Sequence, residues 1–267
     1  MGAFKAGVSV VTFDEKESVD ALNSTLKDSG ARGFLFSPQT VISQEGHNTV
    51  TRQTFLQKLM PELHQLYPGD ELNLRAYPNL KHIIQLGHTT IRGVMKFKDS
   101  MVYATPSLSN FEIPENQSSD VAFESYKGGK QVSSLTSGDL VSQANSLWQN
   151  HFSKAGENPV FVSLNLETPL GLASFLSNNA HKQKVYIPSS FNMSKILTSL
   201  KTQQSTTAVI DRELFDLEAP AHKVAELTEQ AQSVTKVLVA SQGGSKIGKS
   251  SLFVNAKDVT VIDPYKL

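Results

Sequence analysis

Cysteine is absent from this chain, and neither sign of charge predominates. The lack of cysteine in 267 residues excludes disulfides, iron–sulfur clusters, thiolate zinc sites and a cysteine nucleophile. The 25 basic side chains are balanced by 25 acidic ones. Because no net field of one sign results, we expect the protein not to bind nucleic acid.

Long apolar runs and metal-binding motifs are absent as well. No apolar stretch approaches the ~20 residues of a membrane helix, so we expect no membrane span. The seven histidines are scattered, with no HExxH motif and no pair at i and i+4, which predicts no metal site. The G-x-S-x-G motif of serine hydrolases is also missing. We therefore predict no catalytic, cofactor-binding or metal-binding residue, and no cofactor.

The composition is that of a folded globular protein, with 39% hydrophobic and 19% charged residues. At ~150 residues per domain, the length allows one large domain or two small ones. Prolines, asparagines and serines concentrate between residues 100 and 119, and regular patterns resume at residue 121. We predict a first α/β subdomain at residues 1–120 and a second at 121–267.

Residues 8–36 have the pattern of a βαβ unit. An apolar strand at 8–13 precedes a helix whose apolar residues recur at helical spacing up to Gly30, and a second strand follows at 33–36. We expect these two strands to pair in parallel through a right-handed crossover.

The rest of the first subdomain is predicted as a loop, a helix and a strand. Residues 38–50 are polar and are interpreted as a loop. A helix with an apolar face over 55–63 contains Pro61, which is expected to kink or split it. An apolar run at 82–86 predicts the next strand.

Strand and helix patterns alternate through the second subdomain. Strands are predicted at 121–124, 160–164, 184–187, 206–210 and 236–240, and helices around 140–148 and at 169–178, 193–200 and 219–230. This alternation predicts an α/β fold of largely parallel sheets flanked by helices.

Acidic residues cluster near predicted helix starts. There they complement the helix dipole, a role that the pattern favours over acid–base catalysis. The two clusters are Asp14, Glu15 and Glu17, and Asp211, Glu213, Asp216 and Glu218.

Residues 243–250 match the phosphate-loop pattern G-x-x-x-x-G-K-S and follow an apolar run. Phosphate binding there would use backbone amides, the Lys249 ammonium and a magnesium ion held by the Ser250 hydroxyl, with Asp263 ordering the metal. Only eight residues separate Ser250 from Val259, too few for a parallel crossover of a dozen or more. The pattern therefore favours a glycine-rich turn with exposed basic residues over a phosphate site.

Several segments, in chain order, resemble those of a known family. They include residues 4–11, 29–36, 59–63, 82–84, 136–141, 169–171, 184–187, 191–200, 206–210 and 257–262. Their order resembles the N-terminal domain of the adenylate-forming superfamily, and specifically its medium-chain acyl-CoA synthetase branch. The resemblance implies a partial acyl-CoA-synthetase-like N-terminal domain, truncated before the adenine-binding motif.

The chain departs from this family where the family does its chemistry. The family's phosphate loop, T-S-G-T-T-G-x-P-K-G, corresponds to residues 124–130, ESYKGGK. Gly128, Gly129 and Lys130 remain as a remnant that could hold an anion, but Glu124 would repel one. The family's P-x-x-H-x-x-G motif corresponds to residues 165–171, without its histidine, and its Y-G-x-T-E motif to residues 263–267, DPYKL.

The resemblance implies a catalytically inactive protein that serves as a structural or accessory subunit of a larger assembly. Protein partners would cover the sheet edge and apolar face that a truncated parallel sheet leaves open. By family analogy the compartment is mitochondrial and the assembly a respiratory or ATP synthase complex. Two alternatives stay open: a non-catalytic acyl- or nucleotide-binding module, and a residual ATP-dependent acyl-activating enzyme.

Overall fold

The structure is a computed structural model that describes residues 2–13, 17–38, 41–45, 48–102, 115, 117–156, 158–188, 193–217, 224–244 and 249–266. The chain divides into two compact units. Unit 1 contains residues 1–115 and 124–132, and unit 2 contains residues 116–123 and 133–267.

The helices and strands of unit 1 are short. Its strands are β1 (Val10–Phe13), β2 (Gly33–Phe36), β3 (Val41–Glu45), β4 (Asn48–Thr51), β5 (His82–Gln85) and β6 (Met95–Lys96). Its helices are α1 (Gly2–Lys5), α2 (Val19–Asp28), α3 (Arg52–Leu59) and α4 (Phe97–Val102). A hairpin of β7 (Val121–Lys127) and β8 (Lys130–Thr136) crosses the boundary between the units.

Helix α2 has the signals that the sequence predicts. The Ser18 hydroxyl accepts a hydrogen bond from the Ala21 amide and caps the first turn. Gly30 follows the helix with φ of +61°, the left-handed conformation that glycine adopts most easily. Leu22 and Leu26 are buried in the core of unit 1. The predicted helix and its glycine stop are confirmed.

The predicted pairing of the first two strands is wrong. Strand β1 belongs to a sheet of order β1-β7-β8, whereas β2 lies in a separate sheet of order β2-β5-β6. The Thr12 hydroxyl donates to the Glu124 carbonyl, which ties β1 to β7. The local pattern identified the strands but carries no information about a partner more than a hundred residues away.

Residues 38–50 are not simply a loop, because β3 and β4 form an antiparallel hairpin there. The sequence reason is the β-branched residues at 41, 42 and 49–51, which favour strands even in a polar stretch. The expected break at Pro61 is confirmed: α3 ends at Leu59, and a 3₁₀ turn at Pro61–Gln65 has the proline at its start. Most of the irregular region predicted at 100–119 lies outside the described residues.

Unit 2 contains a five-stranded, fully parallel sheet. Its strands are β9 (Val160–Val162), β10 (Val185–Tyr186), β11 (Thr207–Asp211), β12 (Lys236–Ala240) and β13 (Asp258–Ile262), in the order β10-β9-β11-β12-β13. All four pairings are parallel. The α/β fold with largely parallel sheets is confirmed.

Helices cover both faces of this sheet, as a parallel sheet requires. They are α5 (Ser137–Leu147), α6 (Pro169–Ala180), α7 (Met193–Gln203), α8 (Arg212–Phe215) and α9 (Val224–Gln230). One apolar cluster contains Phe161 and Val239, and a second contains Val160 and Leu238. Alternate residues of the same strands therefore bury their side chains in two different cores. Part of the helix predicted at 219–230 lies outside the described residues.

Candidate functional site

The carboxyl ends of the parallel strands in unit 2 are the first place to look for a site. From β9 the chain moves to β10 on one side, then returns to β11 on the other side of β9. The loops that follow the adjacent strands β9 and β11 therefore run in opposite directions along the sheet. This is a topological switch point, and open α/β sheets bind ligands at such points. Three segments with candidate motifs follow strands at this end: residues 165–171 follow β9, the glycine-rich segment that begins at Gly243 follows β12, and residues 263–266 follow β13.

The loop after β9 is closed by its own hydrogen bonds. The Asn165 carbonyl accepts from both the amide and the hydroxyl of Thr168, the latter at 2.9 Å. The Thr168 hydroxyl in turn accepts from the Gly171 amide at 3.1 Å and caps α6. Thr168 stands where the resembled motif has its histidine, so this position carries a helix cap.

Gly171, the retained glycine of that motif, is explained by packing. A Cβ atom at this position would lie 2.3 Å from the Asn165 carbonyl oxygen. Any side chain would therefore collide with backbone, and the glycine is needed for the loop itself.

Part of the acidic cluster after β11 lies at a helix start: Asp211 is the N-cap of α8 and Glu213 is in its first turn, whereas Asp216 ends that helix and Glu218 lies outside the described residues. The Asp211 carboxylate accepts from the Leu214 amide at 2.7 Å and caps α8. Burial raises the pKa of Asp211 above its usual value. The hydrogen bond from the Leu214 amide lowers this pKa, and the negative charge of Glu213 raises it further. Arg212 pairs with Asp216 at 2.7 Å on the same helix.

The glycine-rich loop after β12 is tied to the end of β13. The Gly243 amide donates to one Asp263 carboxylate oxygen at 3.1 Å, and the Tyr265 amide donates to the other at 3.0 Å. In a phosphate site Asp263 would order the magnesium ion. In the structure its carboxylate accepts hydrogen bonds from two neighbouring backbone amides.

The Ser250 hydroxyl is also engaged with backbone. It donates to the Phe215 carbonyl at 2.7 Å and accepts from the amides of Leu252 and Phe253. No helix begins between Lys249 and β13, a stretch that the structure describes throughout. A phosphate loop needs a helix N-terminus at this point, so the described geometry agrees with the turn that the sequence favours. Residues 245–248 of the motif lie outside the described residues.

The segment predicted to correspond to the family's phosphate loop is a tight hairpin turn in unit 1. Only Gly128 and Gly129 separate β7 from β8. Their φ angles are +60° and +74°, the combination that a two-residue type I′ turn requires. Lys130 is exposed as the first residue of β8, and Glu124 accepts from Gln131 at 2.6 Å.

The backbone amide at this turn is already hydrogen-bonded to a carboxylate of the chain. The Gly128 amide donates a short hydrogen bond to Glu17 Oε1. Glu17 precedes the N-cap of α2 and is 9% exposed. Its second oxygen, Oε2, has no hydrogen-bond partner among the described residues. The sequence placed Glu17 at a helix start but had no signal for a contact with a residue 111 positions away.

The rest of the hairpin tip packs on α2. A Cβ on Gly129 would lie 2.8 Å from Ser24 Cβ and 3.0 Å from the Ala21 carbonyl oxygen. The Tyr126 hydroxyl donates to Asp28 at 3.1 Å. Burial, the Asp28 hydrogen bond and the charges of Asp28 and Glu124 raise the pKa of Tyr126 to about 12.

Two polar grooves lie at the opposite, amino end of the unit 2 sheet. Their volumes are about 390 and 570 Å³, and both are lined by Asn158 and Gln204. The Lys201 ammonium and the Glu229 carboxylate, 2.7 Å apart, line the smaller one. No sequence motif pointed to this end.

Neither a membrane-spanning helix nor a metal-binding cluster occurs in the ranges that the structure describes. No helix there is long and apolar enough to cross a bilayer. The same ranges hold no group of three or more histidine, aspartate or glutamate side chains placed to bind a metal ion.

Comparison with known proteins rests on structure alone. No protein-family model matches the sequence, and no curated protein matches it. The acyl-CoA synthetase of Brucella canis matches with a TM-score of 0.64 at 11% identity, over 90% of this chain and 39% of its own.

Other solved structures match in the same way. The luciferase-like enzyme of the nonluminescent mealworm Zophobas morio has a TM-score of 0.63 at 13% identity, over 95% of this chain and 53% of its own. The anthranilate CoA ligase AuaEII, solved with anthranoyl-AMP, has a TM-score of 0.62 at 14% identity, over 90% and 42%.

The chain has the fold of an acyl-CoA synthetase N-terminal domain. It spans 39–53% of the length of these three structures. At 11–14% identity the likeness establishes the fold, and activity has to be argued from the residues of this chain.

Proposed function

We propose that this protein is a catalytically inactive member of the acyl-CoA-synthetase-like fold that serves as a structural or accessory subunit of a larger assembly. The observation that carries the proposal is the turn at Gly128 and Gly129. It stands where the resembled family has its phosphate loop, and its Gly128 amide is hydrogen-bonded to the buried carboxylate of Glu17.

A nucleotide phosphate would meet three obstacles at this turn. The turn has two residues, which leaves no loop to surround a phosphate. The Gly128 amide already has an anionic acceptor. A second anion about 4 Å from the Glu17 carboxylate would be repelled by roughly 1–4 kcal/mol, depending on the local dielectric. Adenylation depends on electrostatic stabilisation of the reacting phosphate, and losing such donors lowers rates by orders of magnitude.

The unit 2 loops support the same proposal. Thr168, at the position of the histidine in the resembled family's motif, caps helix α6. The Asp263 carboxylate accepts a hydrogen bond from the Gly243 amide. Both cores of unit 2 are nevertheless densely apolar and buried. The positions that correspond to the family's reactive residues here form hydrogen bonds to the chain's own backbone, while the fold is kept. Such a chain is suited to an architectural role.

The assembly itself is proposed by family analogy. We infer a mitochondrial location and a respiratory or ATP synthase complex as the larger structure. Subcellular fractionation followed by native electrophoresis of a mild detergent extract tests this part. Migration in a large mitochondrial complex supports it, and a free 29.2 kDa protein contradicts it.

The absence of catalysis is tested on the purified chain. We expect no pyrophosphate release with ATP, magnesium and a panel of short-, medium- and long-chain carboxylic acids above the rate without protein. Any release that persists in both Lys130→Ala and Lys249→Ala is assigned to a contaminant. Turnover that either substitution abolishes would contradict the proposal.

A further inference from the structure

Helix α5 ends in a π-helical turn at Trp148–Phe152. The Ser153 amide donates to the Trp148 carbonyl, five residues before it, at 2.9 Å. Such turns are rare, and inside or beside α-helices they are found frequently at functional sites. Because a π-helical turn is wider than an α-helical one, it changes the directions in which its side chains point. We therefore looked for contacts that depend on this turn.

The π-helical turn contacts its neighbours on two sides. On one side the Trp148 indole stacks on the imidazole of His181, the residue that ends α6, with ring centroids 4.3 Å apart. On the other side the Asn150 carbonyl accepts a hydrogen bond from the Lys236 ammonium at 3.0 Å. Lys236 is the first residue of β12. The turn is thus attached to α6 by an aromatic stack and to the sheet by a charged hydrogen bond.

His151 lies in this turn and is close to the same lysine. Its Nδ1 atom is buried and has no hydrogen-bond partner among the described residues. Lys236 lies 3.1 Å from the Asp258 carboxylate, and the lysine side chain is only 16% exposed. Burial and the Lys236 charge lower the pKa of His151, whereas the Asp258 charge raises it. A proton on His151 would therefore place a second positive charge near a largely buried ammonium.

The charges that act on His151 come from the strands. Helix α6 contains no charged residue, and the charged residue of α5, Asp139, lies in its first turn and caps that helix. Lys154, two residues beyond the π-helical turn, is exposed. His181 is the titratable group at the end of α6, and it stacks on the tryptophan. The lysine of β12 and the aspartate of β13 therefore determine how easily His151 accepts a proton.

We propose that the π-helical turn is an acid-sensitive hinge, in which protonation of His151 breaks the hydrogen bond between Lys236 and Asn150 and opens the turn locally. Since the pKa of His151 is lowered in the folded chain, the closed turn is favoured at neutral pH. This preference is lost as the pH falls below the usual histidine value of ~6.5. The hinge goes beyond the proposed accessory role and does not depend on it.

Amide hydrogen exchange of the purified chain between pH 7 and pH 5 tests the hinge. After correction for the intrinsic exchange rate, the protection of the Ser153 amide should fall by up to about tenfold per pH unit. At pH 5 the Ser153 amide should still exchange faster than the Leu238 amide in β12, because the opening is local. Constant protection at Ser153 overturns the hinge. Equal exchange of the two amides would mean global unfolding and overturns it as well.

Two histidine substitutions at the same turn form a matched pair. His151→Gln cannot take up a proton, so the protection of Ser153 should lose its pH dependence. His181→Gln removes the stacked imidazole and leaves His151 in place, so the pH dependence should remain. The reverse result would assign the acid sensitivity to the stack on Trp148 and overturn the proposal.

Lys236→Met tests the part of the lysine, because it removes the ammonium and keeps an unbranched side chain. The Ser153 amide should be less protected at pH 7, since the hydrogen bond to Asn150 is lost. Its further loss of protection in acid should be smaller than in the parent, because no cation opposes the proton on His151. The same pH dependence as in the parent would overturn the hinge.

The one tryptophan of the chain gives a second readout. In His181→Gln the emission of Trp148 should shift to longer wavelength as the turn opens in acid. Its midpoint should coincide with the pH at which the ring protons of His151 titrate by NMR. This comparison decides the question if His151→Gln does not fold, and different midpoints would overturn the hinge.

Discussion

Two glycine turns, one in each unit, share a hydrogen bond between a glycine amide and a carboxylate but differ in their surroundings. In unit 1 the Gly128 amide donates to Glu17, and in unit 2 the Gly243 amide donates to Asp263. Both amides follow a strand, where a nucleotide-binding protein could present them to phosphate. In both turns a carboxylate of the chain itself is the acceptor.

The surroundings of the two turns differ. A Cβ on Gly129 would lie 2.8 Å from Ser24 Cβ in α2, whereas a Cβ on Gly243 would meet no atom of the described residues within 4 Å. Glu17 is buried at 9% exposure, and Asp263 is half-buried. The unit 1 turn therefore packs against α2 through Gly129, whereas the described part of the unit 2 turn has no such contact at Gly243. Substitutions in unit 1 should cost more stability than the matched ones in unit 2.

The largest difference is expected for Gly129→Ala against Gly243→Ala. Both glycines have positive φ, at +74° and +78°, which disfavours alanine by ~1–2 kcal/mol. At Gly129 the collision with α2 adds ~1–3 kcal/mol. Urea unfolding followed by circular dichroism should show a loss of roughly 2–5 kcal/mol against about 1–2. Equal losses would contradict this difference in packing.

The next difference concerns the two carboxylates. Glu17→Ala removes the acceptor of the Gly128 amide, whose hydrogen bond is partly buried, at a cost of about 1–3 kcal/mol, whereas Glu17→Gln keeps an acceptor oxygen and should lose less. Asp263→Ala exposes its amides to water and should lose about 1 kcal/mol. The free energies of unfolding of the three variants check the ranking, and a larger loss for Asp263→Ala would reverse it.

A smaller effect is expected at the carboxylate after β11. Burial raises the pKa of Asp211, so the stability linked to its protonated form is present below the unfolded value of ~3.9 and is lost as pH rises through the folded value. Asp211→Asn keeps a capping side chain without charge and should be at least as stable as the parent at pH 7. Asp211→Ala should lose about 1 kcal/mol with the cap.

Melting temperatures at pH 4 and pH 7 separate these contributions. The advantage of Asp211→Asn over the parent should shrink at pH 4, while the deficit of Asp211→Ala persists. An Asn variant that is less stable than the parent at pH 7 would show that the carboxylate itself is needed.

The smallest effect appears only in alkali, in the hairpin of unit 1. Because the pKa of Tyr126 is raised to about 12 from ~10 in the unfolded chain, its contribution to stability is present below pH ~10 and lost as pH rises towards 12. Ultraviolet titration of tyrosinate should show a step near pH 12 that is absent in Tyr126→Phe. Burial and the Glu62 charge also raise the pKa of Tyr77, and that step should be the same in both proteins. If the step that Tyr126→Phe removes lies at the ordinary pH of ~10, Tyr126 does not lie beside Asp28.

Local signals in the sequence predicted the elements well. Helix α2 and its stop at Gly30 follow from apolar spacing and from the need for a left-handed residue. The unit 2 strands follow from runs of apolar residues, because strands buried on both faces need no alternation. β12 lies at the predicted residues, 236–240.

Long-range contacts could not be predicted from the same signals. Strand β1 pairs with β7, far along the chain, whereas the local βαβ pattern predicts that it pairs with β2. The sequence suggests a loop remnant at Gly128 and Gly129, because the polar residues of β8 give no clear strand pattern. Glu17 carries no motif, and its role exists only when the fold brings it to Gly128.

Titration calorimetry of magnesium-ATP into the purified chain tests the central claim most directly. If the chain's own carboxylates occupy both glycine turns, the wild-type protein should give no saturable heat and no shift in melting temperature, although ligand at 100 times its dissociation constant would add about 2.7 kcal/mol of stability. Saturable binding that Lys130→Ala or Lys249→Ala abolishes would contradict the account.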